Sequence, residues 1–204
     1  MRSVRVVAAL AVVFGAAVLA AAAIDTETIE RPWPKEHTRE YEVGRDTVRW
    51  RQKVDKRQGL FAGMRFTVPR ERQAVWKLSN DYSGVGHITP GVEAVRYIKE
   101  GPNRQIIEVD MKVLWKLFTL RFEMEQEPPK AVRFRWADER FGEYLGVAVF
   151  EEVAGTGKDA APATRVDLST RFLPVHPVPM HLLLGVERIA MLTAAKKFLK
   201  ACER

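Results

Sequence analysis

Cysteine is nearly absent from this chain, with Cys202 the only one in 204 residues. No intrachain disulfide can form in any compartment, so the fold must rest on its core. Catalytic signatures are missing as well. There is no G-x-S-x-G turn, no H-E-x-x-H helix, no C-x-x-C pair and no phosphate-cradling glycine loop. His176 and His181 stand five apart without a Cys, Asp or Glu cluster to complete a metal site. Together with His87 they are expected at the surface or at a portal. No internal repeat is present, which excludes repeat architectures. These absences weigh against an enzyme, and the expectation is no catalytic residue, no metal and no cofactor.

Long apolar runs are absent except at the start. After Arg2 and Arg5, the stretch Val6–Ile24 carries no charge, and Ala21 and Ala23 satisfy the A-x-A cleavage rule ahead of Asp25. Residues 1–23 are therefore a signal peptide or an uncleaved N-terminal anchor, since about 20 apolar residues span a bilayer. Nine of the 19 uncharged residues are the weakly hydrophobic alanine, which favours cleavage. No cysteine follows the run to carry a lipid anchor. The body is expected outside the cytoplasm, periplasmic or anchored at the outer face of the cytoplasmic membrane.

What is present is a globular composition, with 47% hydrophobic and 29% charged residues. Residues 24–57 read as a charged linker, extended around Arg31-Pro32-Trp33-Pro34, with an edge strand where Val48, Trp50, Gln52 and Val54 alternate. From residue 58 to 204 the pattern is that of one domain. Leu60, Ala62, Met64, Phe66 and Val68 make one face of a strand, and Pro69 ends it. Val75, Leu78 and Tyr82 then mark a helical face, and the glycine-rich loop after it has room for a second short helix.

A train of strands follows over 92–99, 105–115, 117–127, 132–136, 143–153 and 165–172. The alternation Ile107, Val109, Met111, Val113 against Glu108, Asp110, Lys112 is typical, and argues an antiparallel sheet with one protected face. The segment 143–153 is apolar at both parities, which predicts contacts on both faces. From Met180, the positions Leu184, Glu187, Met191, Ala194, Phe198 and Cys202 recur at helical spacing. They predict a helix of about 24 residues, some 36 Å long.

Phe66-Thr67-Val68-Pro69 leading into Ala74-Val75-Trp76-Lys77-Leu78 and Asp81-Tyr82, with Thr89-Pro90-Gly91-Val92-Glu93-Ala94-Val95 at the next strand, is similar to the START-like superfamily. That superfamily is also called helix-grip or SRPBCC, and the likeness is to its polyketide cyclase and coenzyme-Q-binding members over residues 59–204. The resemblance implies an α+β fold. A curved antiparallel sheet of about seven strands would wrap the long C-terminal helix, with a short helix pair after the first strand. It also implies a cavity between sheet and helix. Members carry lipids, sterols, quinones or polyketides, and a minority are cyclases or hydrolases, so fold alone does not assign the activity.

In that geometry the cavity would be lined by Met111, Phe122, Phe134, Trp136, Leu168, Leu184 and Met191, an apolar set of the kind that suits a hydrophobic ligand. The same residues would otherwise fill a solid core. Glu187 interrupts the apolar stripe of the last helix, where a carboxylate is costly unless paired. It is either a polar anchor for a ligand or one half of an ion pair with a sheet arginine at the cavity mouth, such as Arg121 or Arg133. A cyclase would instead use scattered polar groups such as Glu143 and Tyr144. The loops at 83–91 and 174–179 are the expected portal.

Loss of residues 1–23 leaves 31 basic and 26 acidic residues, a net +5. The excess sits at 31–57, net +4, and at 180–204, net +3. Both segments suit an anionic membrane surface, with Lys196, Lys197 and Lys200 resting on headgroups, or simply a solvated face. Nucleic acid is not expected as a partner of an exported chain without a recognition motif. Three functions remain open: an envelope carrier for a lipid-like or quinone-like molecule, an aromatase/cyclase-type enzyme, and a filled-core interaction protein that docks a partner at 31–57.

Overall fold

A computed structural model of the protein describes residues 23–203, apart from 27–28, 30–37, 44–45, 56–58, 82–90, 114–115, 139–140, 156–160 and 178. Nine strands are present: β1 (Thr38–Val43), β2 (Asp46–Asp55), β3 (Gly59–Val68), β4 (Val92–Glu100), β5 (Arg104–Val113), β6 (Lys116–Glu127), β7 (Ala131–Asp138), β8 (Gly142–Val153) and β9 (Ala163–Pro174). They form one sheet in the order β1-β2-β3-β9-β8-β7-β6-β5-β4. Every pairing is antiparallel. Helix α1 (Arg72–Ser79) follows β3, and α2 (Met180–Cys202) comes last.

The class, the antiparallel sheet and the long terminal helix agree with the sequence expectation. The strand count does not, because residues 38–55 add two strands beside β3 where one edge strand was expected. Charge hid them. Their outward positions carry pairs such as Glu40 and Arg49, bonded at 2.9 Å, while Val43, Val48 and Trp50 are buried on the inner face. Of the expected short helix pair, α1 is in place, and its partner would fall within 82–90, outside the described residues.

Alternation in β3 puts Leu60, Ala62, Met64, Phe66 and Val68 in the core, and Pro69 ends the strand. Thr164 on β9 donates its hydroxyl to the carbonyl of Arg70 at 2.7 Å and ties the entry of α1 to the sheet. Val75 and Trp76 anchor the helix, the indole meeting Phe150 edge-on at 5.5 Å. Gly59 has φ +91°, and a Cβ there would lie 2.2 Å from the carbonyl oxygen of Phe172, so only glycine lets β3 open against β9.

One core cluster draws on β1–β3, β5–β9 and both helices. Laid flat, nine strands at about 4.8 Å spacing would span about 38 Å, several times the width of a helix at about 10 Å. Sharing one core therefore requires the sheet to bend around it. Register shifts between β4 and β5, at Val92/Ala94 and Tyr97/Lys99, help it do so. Helix α2 packs on the β1–β3 side and against α1. Met191, Ala195, Leu199 and Cys202 are its buried stripe, and Phe198 meets Phe66 edge-on at 6.0 Å. Burial pushes the Cys202 thiol up to about 11, the state of an inert core cysteine.

Strand β8 is covered on both faces, as its doubly apolar sequence predicts. Phe150 points into the core, and Leu145 and Val147 are buried outside beneath Ile24 and Ile29. Elsewhere the convex face is a lattice of cross-strand ion pairs, among them Arg65–Asp167, Arg96–Asp110, and Arg171–Glu143 at 2.9 Å.

Candidate functional site

Register turns strand alternation into rows across the concave face. One row runs Ile107, Phe122, Trp136, Tyr144, Phe172 and Leu60. The next runs Met124, Phe134, Gly146, Thr170 and Ala62, and the third Val132, Ala148, Leu168 and Met64. The middle row is small at Gly146, Thr170 and Ala62, so it forms a trough between bulkier neighbours. Phe134 lays its ring over Gly146, where an added Cβ would come within 2.0 Å of the ring.

The aromatic side chains touch in sequence. Phe118 meets Phe141 at 5.7 Å between centroids, Phe141 meets Trp136 at 6.2 Å, and Trp136 stacks on Phe172 at 6.5 Å. Phe172 meets Tyr144 at 6.4 Å, Tyr144 meets Phe134 at 6.1 Å, and Phe134 meets Phe122 at 6.4 Å. The result is a continuous aromatic wall on the inner face. Its rings are half-buried, or exposed at Phe141, unlike the buried Val48, Trp50, Leu60 and Phe66 beneath α2, so the wall borders accessible space. At the outer end of the wall, Phe141 and Val175 are exposed and make an apolar rim, the Val175 N–H donating to the Phe141 carbonyl at 3.2 Å, while the exposed Leu117 and Leu173 fall on the convex parity.

At the inner end Glu187 reaches from α2 into the trough. Its Oε1 accepts from the Thr170 hydroxyl at 2.8 Å and from the Tyr144 phenol at 3.3 Å. Its Oε2 is buried and has no hydrogen-bond partner among the described residues. Burial is the main force on this carboxyl and pushes its pKa above the ordinary range, with the bonds from Thr170 and Tyr144 opposing. Burial, and then the Glu187 charge, likewise pushes the Tyr144 phenol upward, so it stays a neutral donor. Because both hydroxyls converge on Oε1, a proton taken up by Glu187 belongs on Oε2. The group then presents an O–H donor beside an aromatic wall, suited to a carbonyl or hydroxyl oxygen of an otherwise apolar molecule.

Of the lining residues expected from sequence, Phe122, Phe134 and Trp136 stand in the wall. Leu168 is half-buried in the neighbouring row, and Leu184 lies one turn before Glu187 on the same side of α2. Met111 is half-buried on β5 opposite Phe118, away from the carboxyl. Met191 is buried in the core among β3 and α2 residues. The ion-pair alternative for Glu187 is not realised. Arg121 and Arg133 project from the convex face, where Arg133 donates to Thr26 at 3.3 Å and lies 3.7 Å from Glu127. Glu143 also points outward, to Arg171. Thr170, Phe172, Gly146 and Phe141 were not singled out by sequence. The parity of Thr170 and Phe172 with Leu168 was the only signal. His87 and residues 83–90 lie outside the described residues, and His176 is exposed.

An open groove of about 540 Å³ lies beside β1 and β2, lined by Glu40, Asp46, Thr47, Arg49, Arg65 and Arg165 among others. Its charged walls suit no apolar ligand. Among the described residues no helix is long and apolar enough to cross a membrane.

No protein-family model and no curated protein matches the sequence. Solved structures do match in fold. The Zhui aromatase/cyclase of Streptomyces sp. R1128 is 18% identical with a TM-score of 0.60, covering 71% of this chain and 93% of that one. A STAR-related lipid transfer protein of Xanthomonas axonopodis is 12% identical with a TM-score of 0.61, covering 83% and 100%. A START superfamily protein of Mycobacterium smegmatis is 11% identical with a TM-score of 0.54, covering 70% and 97%. The fold is START-like, the helix-grip arrangement of a large antiparallel sheet with a C-terminal helix.

Proposed function

We propose that this chain is an exported binding or carrier protein for a hydrophobic small molecule, lipid-like, sterol-like or quinone-like, held between the aromatic wall and α2. One observation carries the reading: Glu187 Oε2 is a buried carboxyl oxygen without a partner among the described residues, at the end of an otherwise apolar wall. Leaving such a group unsatisfied costs about 1–3 kcal/mol, and a ligand oxygen placed there recovers it. The neighbouring aromatase/cyclase and lipid transfer structures share the fold on which such a site is built.

Entry is through the rim of Phe141 and Val175. An apolar rim is suited to receiving a molecule from a bilayer surface. Contact with an anionic membrane through segments 31–57 and 180–204 belongs to the same reading. Lys196, Lys197 and Lys200 are a charge reserve for it, although they lie near the far end of α2, more than about 20 Å along the helix from the rim.

Titration with a short-chain quinone and with its alkane counterpart, followed by tryptophan fluorescence, tests the anchor. Glu187→Leu should weaken quinone binding about tenfold, the equivalent of one lost buried hydrogen bond, and leave the alkane unaffected. Equal effects on both ligands would remove Glu187 as an anchor.

A second reading is aromatase/cyclase-type chemistry, favoured by the side-by-side phenol and carboxyl of Tyr144 and Glu187 in an aromatic pocket. There the neutral carboxyl would polarise a substrate carbonyl as a general acid. Turnover of a poly-β-ketone by the wild type and its loss in Glu187→Gln would select this reading over the carrier.

A further inference from the structure

We propose that the Ala23–Ile24 bond is a proteolytic processing site, and that the α-ammonium group released there docks on Glu125 as part of the folded protein. The proposal rests on the export reading and its cleavage after Ala23, and adds what the new terminus does.

The segment around Ile24 is built into the body. Ile24 and Ile29 are 6% and 2% exposed, packed on Leu145 and Val147 on the convex side of the sheet. Thr26 is buried as well, and its carbonyl accepts from the Ile29 N–H at 2.9 Å. Arginines from two strands hold this strap, Arg133 at the Thr26 hydroxyl and Arg51 at the Ile29 carbonyl. The strap thus crosses the convex face from β6 toward β2. It begins abruptly, since Ala23 is exposed and Ile24 buried. At that boundary the Ile24 nitrogen donates to Glu125 Oε2 at 3.1 Å, while Glu125 Oε1 is held by Arg104.

A carboxylate is more than one amide N–H requires. It suits an ammonium group, which brings a full charge and three donors to the same point. The residues that end at this point are the small Ala21 and Ala23 of an A-x-A site. Hydrolysis breaks the Ala23 carbonyl carbon to Ile24 nitrogen bond. Water supplies OH to Ala23 and H to Ile24, and the amine takes a further proton, its ordinary pKa being about 7.7–8.0. Because the strap buries Ile24, the cut precedes docking. The ionisable groups facing the new terminus are Glu125 on β6 with Arg104 beside it on β5, Arg133 with Glu127 across β7 and β6, and Asp25 within the strap.

The test begins with the full-length chain expressed in an exporting host, fractionated, and read by intact mass and N-terminal sequencing. The expected mature chain starts at Ile24. An exported chain that keeps residues 1–23, or starts elsewhere, overturns the processing site alone. An uncut chain confined to the cytoplasm overturns the export reading beneath it. The ammonium is tested separately in refolded chains beginning at Ile24 or at Ala23, each with and without Glu125→Gln. A raised amine pKa stabilises at low pH and is lost as pH rises through the folded value. Glu125→Gln should therefore lower the Tm by about 2–4 °C more in the Ile24 chain at pH 7, and the excess should vanish by about pH 10. Equal losses in the two chains at pH 7 would show a strap bond without an ammonium site.

Discussion

The Thr170 hydroxyl on β9 and the Glu187 carboxyl on α2 meet at 2.8 Å, the closest polar link between the helix and the floor of the trough. Thr170 sits where the middle row is small, between Gly146 and Ala62, so the carboxyl can descend to it. The hydroxyl of Tyr144 comes to the same oxygen from the adjacent row.

The pH dependence of stability follows from that burial. Glu187 has a folded pKa raised above its ordinary 4.5. A raised carboxyl is neutral in the fold while already ionised in the unfolded chain. Its contribution is therefore fully present below 4.5 and lost as pH rises through the folded value. Glu187→Gln removes this loss. Urea unfolding at several pH values should show the wild type falling relative to the variant above pH 4.5, with a slope of at most about 1.4 kcal/mol per pH unit. Parallel profiles would mean that Glu187 is not desolvated.

Tyr144→Phe separates the ring from the hydroxyl. Contacts with Phe134 and Phe172 are kept, and one donor to Glu187 is lost. The expected loss is about 1 kcal/mol, or about 2–4 °C in Tm. The Glu187 pKa should rise further, because a donor that favoured the carboxylate is gone. A carboxyl NMR titration reads that direction.

Gly146→Ala tests the trough. The new Cβ would meet the Phe134 ring at 2.0–2.6 Å, so the ring must leave its place in the wall. Overpacking of this kind costs about 1–3 kcal/mol. In a Phe134→Leu background the penalty should largely disappear, which a double-mutant cycle measures.

Cys202 should resist alkylation in the native state. With its pKa near 11 and its side chain buried, reaction at pH 8 should run at least on the order of 100-fold slower than for a free thiol. Urea should restore the ordinary rate.

Much of this fold was legible in the sequence because its strands alternate cleanly. Ile107 and Val109, or Phe122 and Met124, declare a face without any knowledge of their partners. The phase of α2 was legible through Met191 and Cys202, but Ala195 and Leu199 are buried where Ala194 and Phe198 were expected. The shift follows from packing on β1–β3, which periodicity alone does not reveal. Strand β1 was missed because four of its six residues, Thr38, Arg39, Glu40 and Glu42, are charged or polar, on both faces, and leave too little alternation.

The site was half legible. Glu187 declared itself by interrupting an apolar stripe, yet its partners depend on register. Only pairing tells that Tyr144, Gly146 and Thr170 are neighbours across β8 and β9. The strap over Leu145 and Val147 was announced by the doubly apolar β8, but nothing in spacing named Ile24 and Ile29 as its cover.

The most direct test of the central claim is native mass spectrometry of the protein purified from its own envelope, followed by organic extraction, run in parallel on Glu187→Leu. The expected result is a stoichiometric apolar molecule bearing a carbonyl or hydroxyl group, retained by the wild type and depleted in the variant. A wild type that is wholly apo, and that takes up no lipid or quinone when these are added in excess, would contradict a carrier function.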